Sequence, residues 1–364
     1  MDSGKAYHVV VAGAGPAGSV LAARLARGGL SVLLVEASDF HRARPGEFLT
    51  PQTRSMVNSA ALLPDGWEQG HQAILEFVST WGGSEPVDRS YIFDPHGHGL
   101  ALDRARFDRD LSQAAEAEGA SLLTRAHVRN VLGLPGGWEI DVECNSRMNK
   151  IRCDFLAVCC GRAGSPFPGL PVTRHRVNQL VCLGLRVAGY QGDVRPTTEA
   201  HPNGWVYSAG LASGELVVNA FTGPGQTKAG SSASPLDLLL RELAACPLAA
   251  ARVMTSAITS AADVVCFATD ASSICTRPVA GPNWCLAGDS AQSLDPLSSG
   301  GIAQAVRHAI RVADLVLAAA SPGHVDLGTY SQSLDGEYSR YMTDRRRVYQ
   351  LEQRWQTPFW RSVG

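Results

Sequence analysis

The stretch from Tyr7 to Glu36 constrains the fold of this chain more than any other part of its sequence. An apolar run from His8 to Ala12 indicates a buried strand of a parallel sheet. It leads into a complete G-x-G-x-x-G motif, an alanine-rich helical pattern and a second apolar run that ends at Glu36. Strand, glycine turn, helix and strand in this order predict the first βαβ unit of a doubly wound α/β domain that binds a dinucleotide.

Each glycine of the motif has its own task. Gly13 permits the tight turn, Gly15 lets the backbone approach a pyrophosphate, and Gly18 lets helix and strand pack closely. Backbone N–H groups at the helix start attract phosphate, and the carboxylate of Glu36 accepts hydrogen bonds from a ribose. The stretch alone fits NAD as well as FAD. The predicted phosphate loop consists of Gly13, Ala14, Gly15, Pro16, Ala17 and Gly18.

Composition and charge narrow the class of protein. The 364 residues suffice for one large or two ordinary domains, and 45% hydrophobic with 18% charged residues is normal for a soluble globular protein. A formal net charge of −2 provides no basic field for nucleic acid or an anionic membrane. The 9 cysteines lack paired C-x-x-C spacing, which argues against disulfides and zinc. We therefore expect a cytoplasmic protein with reduced cysteines, no metal, and no nucleic-acid or membrane partner.

Three further positions before residue 162 each leave two interpretations open. Arg44, in the polar loop after Glu36, either contacts the dinucleotide or is solvated. His98 lies in a glycine-rich turn, where it is either a solvated turn histidine or a catalytic acid or base. A buried strand ends at Cys160 and Gly161, and this thiol is more simply a buried strand-end cysteine than a redox group.

A second region follows Pro171, where the sequence becomes rich in β-forming residues. Alternating segments predict an antiparallel sheet distinct from the first domain. The sheet carries Trp205 and Tyr207, which either pack in a core or line a substrate. The alternating segments are residues 178–188, 204–211 and 215–222.

The logic of the opening stretch returns near residue 290. An apolar strand ends at Gly288-Asp289, and after Pro296 the pair Gly300-Gly301 opens a long helix over residues 302–319. This order of strand, carboxylate, glycine pair and helix predicts a second binding site. Backbone N–H groups at the start of the helix would there contact an anion or a reduced ring.

These motifs together resemble the FAD-dependent monooxygenase superfamily with the hydroxybenzoate-hydroxylase-like fold. The phosphate loop, the strand before Gly161 and the Gly288-Asp289 segment match in order and cover most of the chain. Cys160 replaces the aspartate of the family's Asp-Gly segment, which puts any role of that aspartate in doubt. The resemblance implies a Rossmann-like doubly wound FAD domain, an inserted antiparallel substrate domain and a C-terminal helix. It places against the FAD the residues Cys160, Gly161, Asp289, Gly301 and Ile302.

The segment from Pro45 to Pro51 is similar to the Gly-Glu-Ser-x-x-Pro segment of flavin-dependent halogenases and their monooxygenase relatives. Halogenases need a lysine between flavin and substrate, and no lysine lies between Lys5 and Lys150. Their Gly-Trp-x-Trp-x-Ile-Pro motif keeps only its first tryptophan here, at Trp205. Both departures argue against halogenation. The resemblance to this branch implies that the FAD is also lined by Arg44, Arg104 and Val128.

A narrower resemblance links three segments, the Trp81-Gly82 region and residues 93–99 and 349–360, to short flavoproteins that mature quinone-containing amine or amino-acid oxidases. Those relatives are associated with oxygenating a tryptophan held in a protein. The resemblance implies a monooxygenase that hydroxylates an electron-rich aromatic, including indole or tryptophan, free or protein-held, through a flavin C4a-hydroperoxide. The implied cofactor is FAD, with O₂ and with electrons from NAD(P)H or a partner reductase. The residues expected at the reaction are Pro296, Gly300, Gly301, Trp205 and His98.

Two different functions are also compatible with these motifs: an FAD-dependent reductase or dehydrogenase, and a flavin-binding protein that grips another protein during its maturation. The arginine-rich tail either docks such a partner or packs back on its own FAD domain. The predicted FAD domain is discontinuous, with residues 1–80, 101–172 and 275–330. The predicted substrate domain comprises residues 81–100 and 173–274, and the tail residues 331–364.

Overall fold

A computed structural model describes residues 6–41, 44–162, 167–227, 233–256, 264–322 and 325–363. Strands and helices are numbered along the chain. No helix in this described part combines the length and hydropathy needed to cross a bilayer. The helices are α1 (Pro16–Arg27), α2 (Pro51–Ser59), α3 (Arg104–Ala117), α4 (Pro235–Leu243), α5 (Pro247–Met254), α6 (Gly301–Ala318), α7 (Gly328–Gln350) and α8 (Pro358–Val363).

The larger sheet has a parallel core, with strand order β20-β11-β1-β2-β8. Its central strands are continuous apolar runs because both faces are covered, and Val9, Val10 and Val11 of β1 have no exposed surface. A β9–β10 hairpin extends β11 in antiparallel fashion. The strands are β1 (Ala6–Ala12), β2 (Val32–Val35), β8 (Ser121–Leu123), β9 (Ala126–Leu134), β10 (Gly137–Cys144), β11 (Arg147–Val158), β19 (Ala280–Gly281) and β20 (Trp284–Leu286).

A seven-stranded sheet, with order β17-β13-β16-β15-β14-β5-β6, forms the second region. Its outer face packs on α4 and α5 through residues such as Val206, Val218 and Leu239. Alternate residues of the same strands, among them Trp205 and Phe221, form its inner face. The strands are β5 (Glu76–Ser79), β6 (Val87–Ser90), β13 (Val181–Val187), β14 (Thr197–His201), β15 (Gly204–Gly210), β16 (Leu216–Thr222) and β17 (Val264–Asp270).

Two three-stranded sheets connect these regions. Local chemistry fixes the helices beside them: Asp103 caps α3 by accepting from the N–H of Arg106, and Thr50 caps α2. The strands are β3 (Phe48–Leu49), β4 (Gln72–Ile74) and β7 (Gly99–Ala101) in one sheet, and β12 (Thr173–Arg176), β18 (Ile274–Arg277) and β21 (Gln292–Ser293) in the other.

The C-terminal tail packs on the inner face of the seven-stranded sheet. Tyr349, Phe359 and Trp360 are buried in one cluster with Trp205 and Phe221. The indole N–H of Trp360 donates to the carbonyl of His201, 3.0 Å away. The tail therefore covers the second region as well as following the FAD domain along the chain.

The predicted mixed α/β fold class, a Rossmann-like domain with an inserted antiparallel sheet, is confirmed. The division into domains stays a prediction. Strand β5 pairs in parallel with β14, so residues 76–79 lie in the seven-stranded sheet, upstream of the predicted boundary at residue 80. The sequence also left β14 out of the predicted alternating segments.

Candidate functional site

The phosphate loop turns between β1 and α1 with almost no room for side chains. Gly13 has φ +100°, and a Cβ atom there would lie 2.4 Å from the carbonyl oxygen of Cys159. A Cβ on Gly18 would lie 1.8 Å from the carbonyl oxygen of Gly13. At Gly15, by contrast, no described atom comes within 4 Å of a Cβ position. The loop is therefore closed at its two ends and open at Gly15, which is the shape that a bound pyrophosphate requires.

The segment near residue 290 meets this loop. A Cβ on Gly288 would lie 3.1 Å from the Cβ of Ala17 in α1 and 3.6 Å from the Cβ of Ala305 in α6. Gly288 thus fits between the first turn of α1 and the second turn of α6. Among the described side chains none caps either start, at Gly15 or at Gly300. Their first-turn N–H groups are therefore suited to an anionic or polar ligand.

Glu36 is positioned at the end of β2 by several donors. Its Oε2 accepts from the N–H of Ala14 at 2.8 Å, and its Oε1 accepts from both the N–H and the hydroxyl of Ser38. Burial raises the pKa of this carboxyl, but the Ser38 and Ala14 hydrogen bonds and the charge of Arg44 outweigh burial and lower it. Glu36 is therefore held ionised, as an acceptor for ribose hydroxyls must be.

The two arginines predicted to line the FAD meet at one buried carboxylate. Asp108 has no exposed side-chain surface, and it accepts from Arg44 at 3.2 Å and from Arg104 at 3.1 Å. Arg44 also donates to Glu36 at 2.8 Å, whereas Arg104 donates to the carbonyl of Pro45 at 2.7 Å. Arg104 therefore fixes the loop before β3, and Arg44 lies beside the Glu36 carboxylate.

The start of β9 lies beside the same loop, because the N–H of Ala126 donates to the carbonyl of Glu36. Val128 follows two residues later and is partly buried against the main core. Ile302, in the first turn of α6, is also buried, at 8% exposure. The contact of Ala126 with Glu36 thus brings the start of β9 to the carboxyl end of β2.

The strand end at Cys160 is structural. The Cys160 thiol donates to the carbonyl of Ala12 at 3.3 Å, and burial raises its pKa to about 12. A thiol with this pKa is neither a nucleophile nor a ready redox group. Gly161 follows with φ +73°, which lets the chain turn toward Arg162. The Arg162 guanidinium donates to the carbonyl of Leu294 at 2.6 Å, so this strand end supports the loop before Pro296.

That loop, residues 294–297, is also held by helix α7. The Oδ2 atom of Asp295 accepts from Arg345 Nε at 3.0 Å and from the Tyr349 hydroxyl at 2.9 Å. Asp295 and Arg345 are 1% and 7% exposed in their side chains, so this is a buried ion pair. The Tyr349 hydroxyl accepts in turn from the indole N–H of Trp205 at 3.1 Å. A continuous chain of hydrogen bonds thus links the inner face of the sheet to the backbone beside Pro296.

Sequence reasoning missed this role of Asp295. The aspartate before Pro296 is visible in the sequence, but Arg345 and Tyr349 lie 50 and 54 residues further along the chain. It also missed the buried pair of Glu47 with Arg186, whose N···O distance is 2.7 Å. The only indication of that pair in the sequence is Glu47 itself, the acid of the Gly46-Glu47 segment.

The predicted catalytic residues fall into two groups. Leu297, directly after Pro296, packs in the same apolar cluster as Trp205 and Tyr207, so the loop and the inner face meet. A Cβ on Gly301 would lie 4.0 Å from an Asp289 carboxylate oxygen, which brings the start of α6 to the same place. His98 lies elsewhere: its Nδ1 contacts the carbonyl of Gly99, and its Nε2 is 4.0 Å from Glu68. Gly300 is the N-cap of α6.

Comparison with known proteins agrees with this geometry. A profile of the family described as FAD binding domain matches residues 6–333. The chain is 28% identical over 373 residues to a protein of Marinomonas mediterranea named putative FAD-dependent oxidoreductase LodB, covering 98% of this chain and 96% of that protein.

Two solved structures are similar in fold. The myxobacterial chondrochloren halogenase CndH superposes with a TM-score of 0.82 at 22% identity, covering 99% of this chain and 86% of that one. The peptidyl tryptophan dihydroxylase QhpG superposes with a TM-score of 0.80 at 23% identity, covering 99% and 79%. At these identities the similarity establishes a shared fold.

Proposed function

The chain belongs to the FAD binding domain family and is an FAD-dependent oxidoreductase, and from that premise we propose that it is a monooxygenase acting on an electron-rich aromatic substrate. The proposed substrate class is indole or tryptophan, free or held in a peptide or protein. The observation that carries the proposal is the meeting of the 294–297 loop with the aromatic inner face in one cluster.

The chain's own residues fit FAD. The open space at Gly15 and the uncapped start of α1 would take the pyrophosphate, and Glu36 the ribose. The Gly288 turn, Asp289 and the start of α6 would hold the ribityl chain and the edge of the ring system. When reduced and exposed to O₂, the flavin supplies the activated oxygen, which is chemistry that no side chain provides.

The protein's task is then to orient the substrate and keep water away from it. The buried Asp295–Arg345 pair fixes the loop that would face the ring system. The first N–H groups of α6, after Gly300, have no side-chain cap and would stabilise negative charge on the ring. Trp205 stacks on Phe221 with ring centroids 4.0 Å apart, and both rings are buried beneath the tail, so they would stiffen the inner face rather than touch the substrate.

The names of similar proteins favour oxygenation of an aromatic over other flavin chemistry. QhpG is named a peptidyl tryptophan dihydroxylase, and CndH a halogenase. Halogenation by this chain is disfavoured because no lysine lies between Lys5 and Lys150. Electrons would come from NAD(P)H or a partner reductase.

A reductase and a partner-gripping protein both have less support. A prenyl-chain reductase would need an apolar tunnel for its substrate. The inner face carries the buried Glu47–Arg186 ion pair, which does not suit such a tunnel. A protein that mainly grips a partner through its tail would need exposed anchors there. In this structure the aromatic residues Phe359 and Trp360 are 7% and 5% exposed, packed on the chain's own sheet, and only the smaller Val348 and Leu351 are exposed among the large hydrophobic residues of the described tail.

The test is a product analysis with FAD-loaded protein, heavy-isotope O₂, and NAD(P)H or a flavin reductase. N-acetyltryptophanamide and tryptophan-containing peptides serve as substrates, in buffer that contains chloride and bromide. The proposal expects products that gain labelled oxygen and O₂ uptake that depends on the substrate. Incorporation of chlorine or bromine, or reduction of a substrate without O₂ uptake, would overturn it. Reduced free FAD without protein is the control for uncatalysed oxidation.

A further inference from the structure

His308 is a buried histidine of helix α6 that supports the Gly288 turn from behind. Its side chain has no exposed surface, and its Nδ1 accepts from the N–H of Gly288 at 3.2 Å. Gly288 also packs against Ala17 of α1, and the next residue, Asp289, is the carboxylate that we expect beside the flavin. One hydrogen bond to a titratable ring therefore holds the turn that lies between α1 and α6.

That hydrogen bond sets the protonation state of the His308 ring. Because Nδ1 accepts from a backbone N–H, the neutral ring carries its proton on Nε2. Nε2 is buried and has no hydrogen-bond partner among the residues that the structure describes. A ring that gains a second proton, on Nδ1, has no acceptor left, and its new N–H would point at the N–H of Gly288. The closed turn and a protonated His308 therefore exclude each other.

The groups that face the ring do not offset a positive charge on it. Glu337 of α7 has its Oε2 3.9 Å from His308 Nε2, but its other oxygen is paired with Arg311, and Arg307 lies 3.9 Å from Oε2. Tyr330 of α7 packs edge-on against the ring, with centroids 5.9 Å apart, and burial raises its pKa. The groups of the parallel sheet beside Tyr330 are the buried thiols Cys159 and Cys285. Burial and the two arginines lower the pKa of His308 to about 3, so the closed turn keeps the ring neutral.

We propose that His308 is the positioning residue for FAD retention: when neutral it holds the Gly288 turn closed on the cofactor, and when protonated it lets the turn open and the FAD leave. The proton binds to the open turn, in which Nδ1 is free and the ring has the ordinary pKa of 6.5. Retention is therefore fully present above pH 6.5 and is lost progressively as pH falls below it. This inference depends on FAD lying against Gly288 and Asp289, and not on the reaction proposed above.

The test is the rate at which loaded protein releases FAD after dilution into FAD-free buffer, followed by the fluorescence of the freed flavin. The wild-type chain is expected to release FAD about 25-fold faster at pH 5 than at pH 7, because the open turn gains a proton with a pKa of 6.5. Circular dichroism at both pH values is expected to show an unchanged fold. A release rate independent of pH, or loss of the fold in step with FAD, would overturn the inference.

Two substitutions separate the titration of His308 from its place in the core. His308→Asn offers an amide oxygen in place of Nδ1 and cannot be protonated, so its release rate should resemble that of the wild-type chain at pH 7 and rise less than about threefold at pH 5. His308→Leu offers no acceptor to Gly288, so it should release FAD at least about tenfold faster at pH 7 and no faster at pH 5. If His308→Leu does not fold, the comparison of wild type with His308→Asn decides. A His308→Asn variant with the wild-type pH profile would show that another group controls release.

His201 is the matched control, because it is also a buried histidine, and burial lowers its pKa to about 4. It lies on β14, with its Nδ1 3.4 Å from Glu242 Oε2. His201→Asn is expected to leave the pH profile of FAD release as in the wild-type chain. A profile flattened equally by both asparagine substitutions would assign release to general acid destabilisation and overturn the inference. The expected profile without oxygen insertion would leave the inference standing and contradict the proposed function, and oxygen insertion with pH-independent release would do the reverse.

Discussion

The phosphate loop and the inner face of the seven-stranded sheet are built by opposite means. The loop is formed by backbone atoms, and side chains are excluded from it: a Cβ on Gly13 or Gly18 would overlap a carbonyl oxygen. The inner face is formed by side chains: the register of β15 on β16 places Trp205, Tyr207 and Asn219 on the same face of the sheet. A site made from backbone leaves a signature of residue type and spacing, whereas a site made from side chains depends on which strands pair.

The two regions are joined by a third element that belongs to neither. Asp295 lies between them, held by Arg345 and Tyr349 of helix α7. Its hydrogen bonds run to the inner face through Trp205 and to the backbone before α6 through Leu297. The C-terminal tail therefore holds the 294–297 loop against the inner face of the seven-stranded sheet.

Valine substitutions at two glycines are expected to give the largest contrast. Gly18→Val places side-chain atoms on the carbonyl of Gly13 and should prevent stable folding. Gly15→Val points into open space with an extended backbone, so the fold should survive while FAD affinity falls at least about tenfold, or about 1.4 kcal/mol. Circular dichroism and FAD titration measure the two effects. Gly83→Val, also in open space, is the control.

If Gly15→Val bound FAD as tightly as the wild-type chain, the open space there would not be the pyrophosphate site. If Gly18→Val folded and bound FAD normally, the close packing of α1 on the loop would be wrong.

Removing the buried carboxylate of Asp295 should have the next largest effect. Asp295→Ala leaves the Arg345 guanidinium buried and unpaired, so we expect a loss of about 3–5 kcal/mol in the free energy of unfolding. Asp335→Ala, on the same helix as Arg345, breaks an exposed pair with Arg277 and should cost less than about 1 kcal/mol. Urea unfolding compares the two. Equal small losses would mean that the 294–297 loop does not depend on this pair.

The Gly288 turn should make stability sensitive to acid. The N–H of Gly288 donates to Nδ1 of His308, and burial lowers the pKa of His308 from 6.5 to about 3. The unfolded chain therefore binds a proton below pH 6.5 that the folded chain refuses until about pH 3. Stability should fall as pH drops through this window, by up to about 1.4 kcal/mol per pH unit, and is fully present above it.

Unfolding measured between pH 7 and pH 4 checks this slope. His308→Asn should reduce it without abolishing it, because burial also lowers the pKa of His201 to about 4, whereas His127→Asn, at an exposed position, should leave it as in the wild-type chain. A His308→Asn variant with an unchanged slope would assign the acid sensitivity to other groups.

The smallest expected effect is the alkylation of the Cys160 thiol, at the strand end beside the predicted flavin site. Because burial holds the pKa of Cys160 near 12, iodoacetamide at pH 8 should leave it unlabelled in folded protein. After denaturation the same residue should react, and peptide mass analysis gives the ratio. Rapid labelling of folded protein would reopen a redox role for this thiol.

The sequence predicts the phosphate loop, which is built from backbone, better than the inner face, which is built from side chains. The phosphate loop was predictable because a tight turn, an open approach and close packing each demand glycine at a fixed position. The fold class followed from two strand–glycine–helix units at opposite ends of the chain. Arg104 was expected to line the FAD by resemblance, and this stays a prediction; its described contacts are with Asp108 and the carbonyl of Pro45.

The rest depends on contacts between distant segments. The pairing of Tyr207 with Asn219 requires the register of β15 on β16, and a shift of one residue would put the two side chains on opposite faces of the sheet. The partners of Asp295, Arg345 and Tyr349, lie on α7. Helix propensity predicts that such a helix forms but not that it packs beside Asp295. His98, in a turn rich in glycine, has the residue type of an acid or base; its described contacts are with Gly99 and Glu68, and its catalytic role stays a prediction.

The visible spectrum of bound FAD tests the central claim most directly, that one flavin extends from the phosphate loop to the start of α6. Gly301→Val, whose side chain would enter the space beside Asp289, should shift the absorption bands of bound FAD, because it would lie at the ring system. Gly15→Val should weaken binding and leave the bands of the remaining bound FAD unshifted. A wild-type protein that is colourless and indifferent to added FAD, or a Gly301→Val variant with unchanged bands and unchanged affinity, would contradict the account.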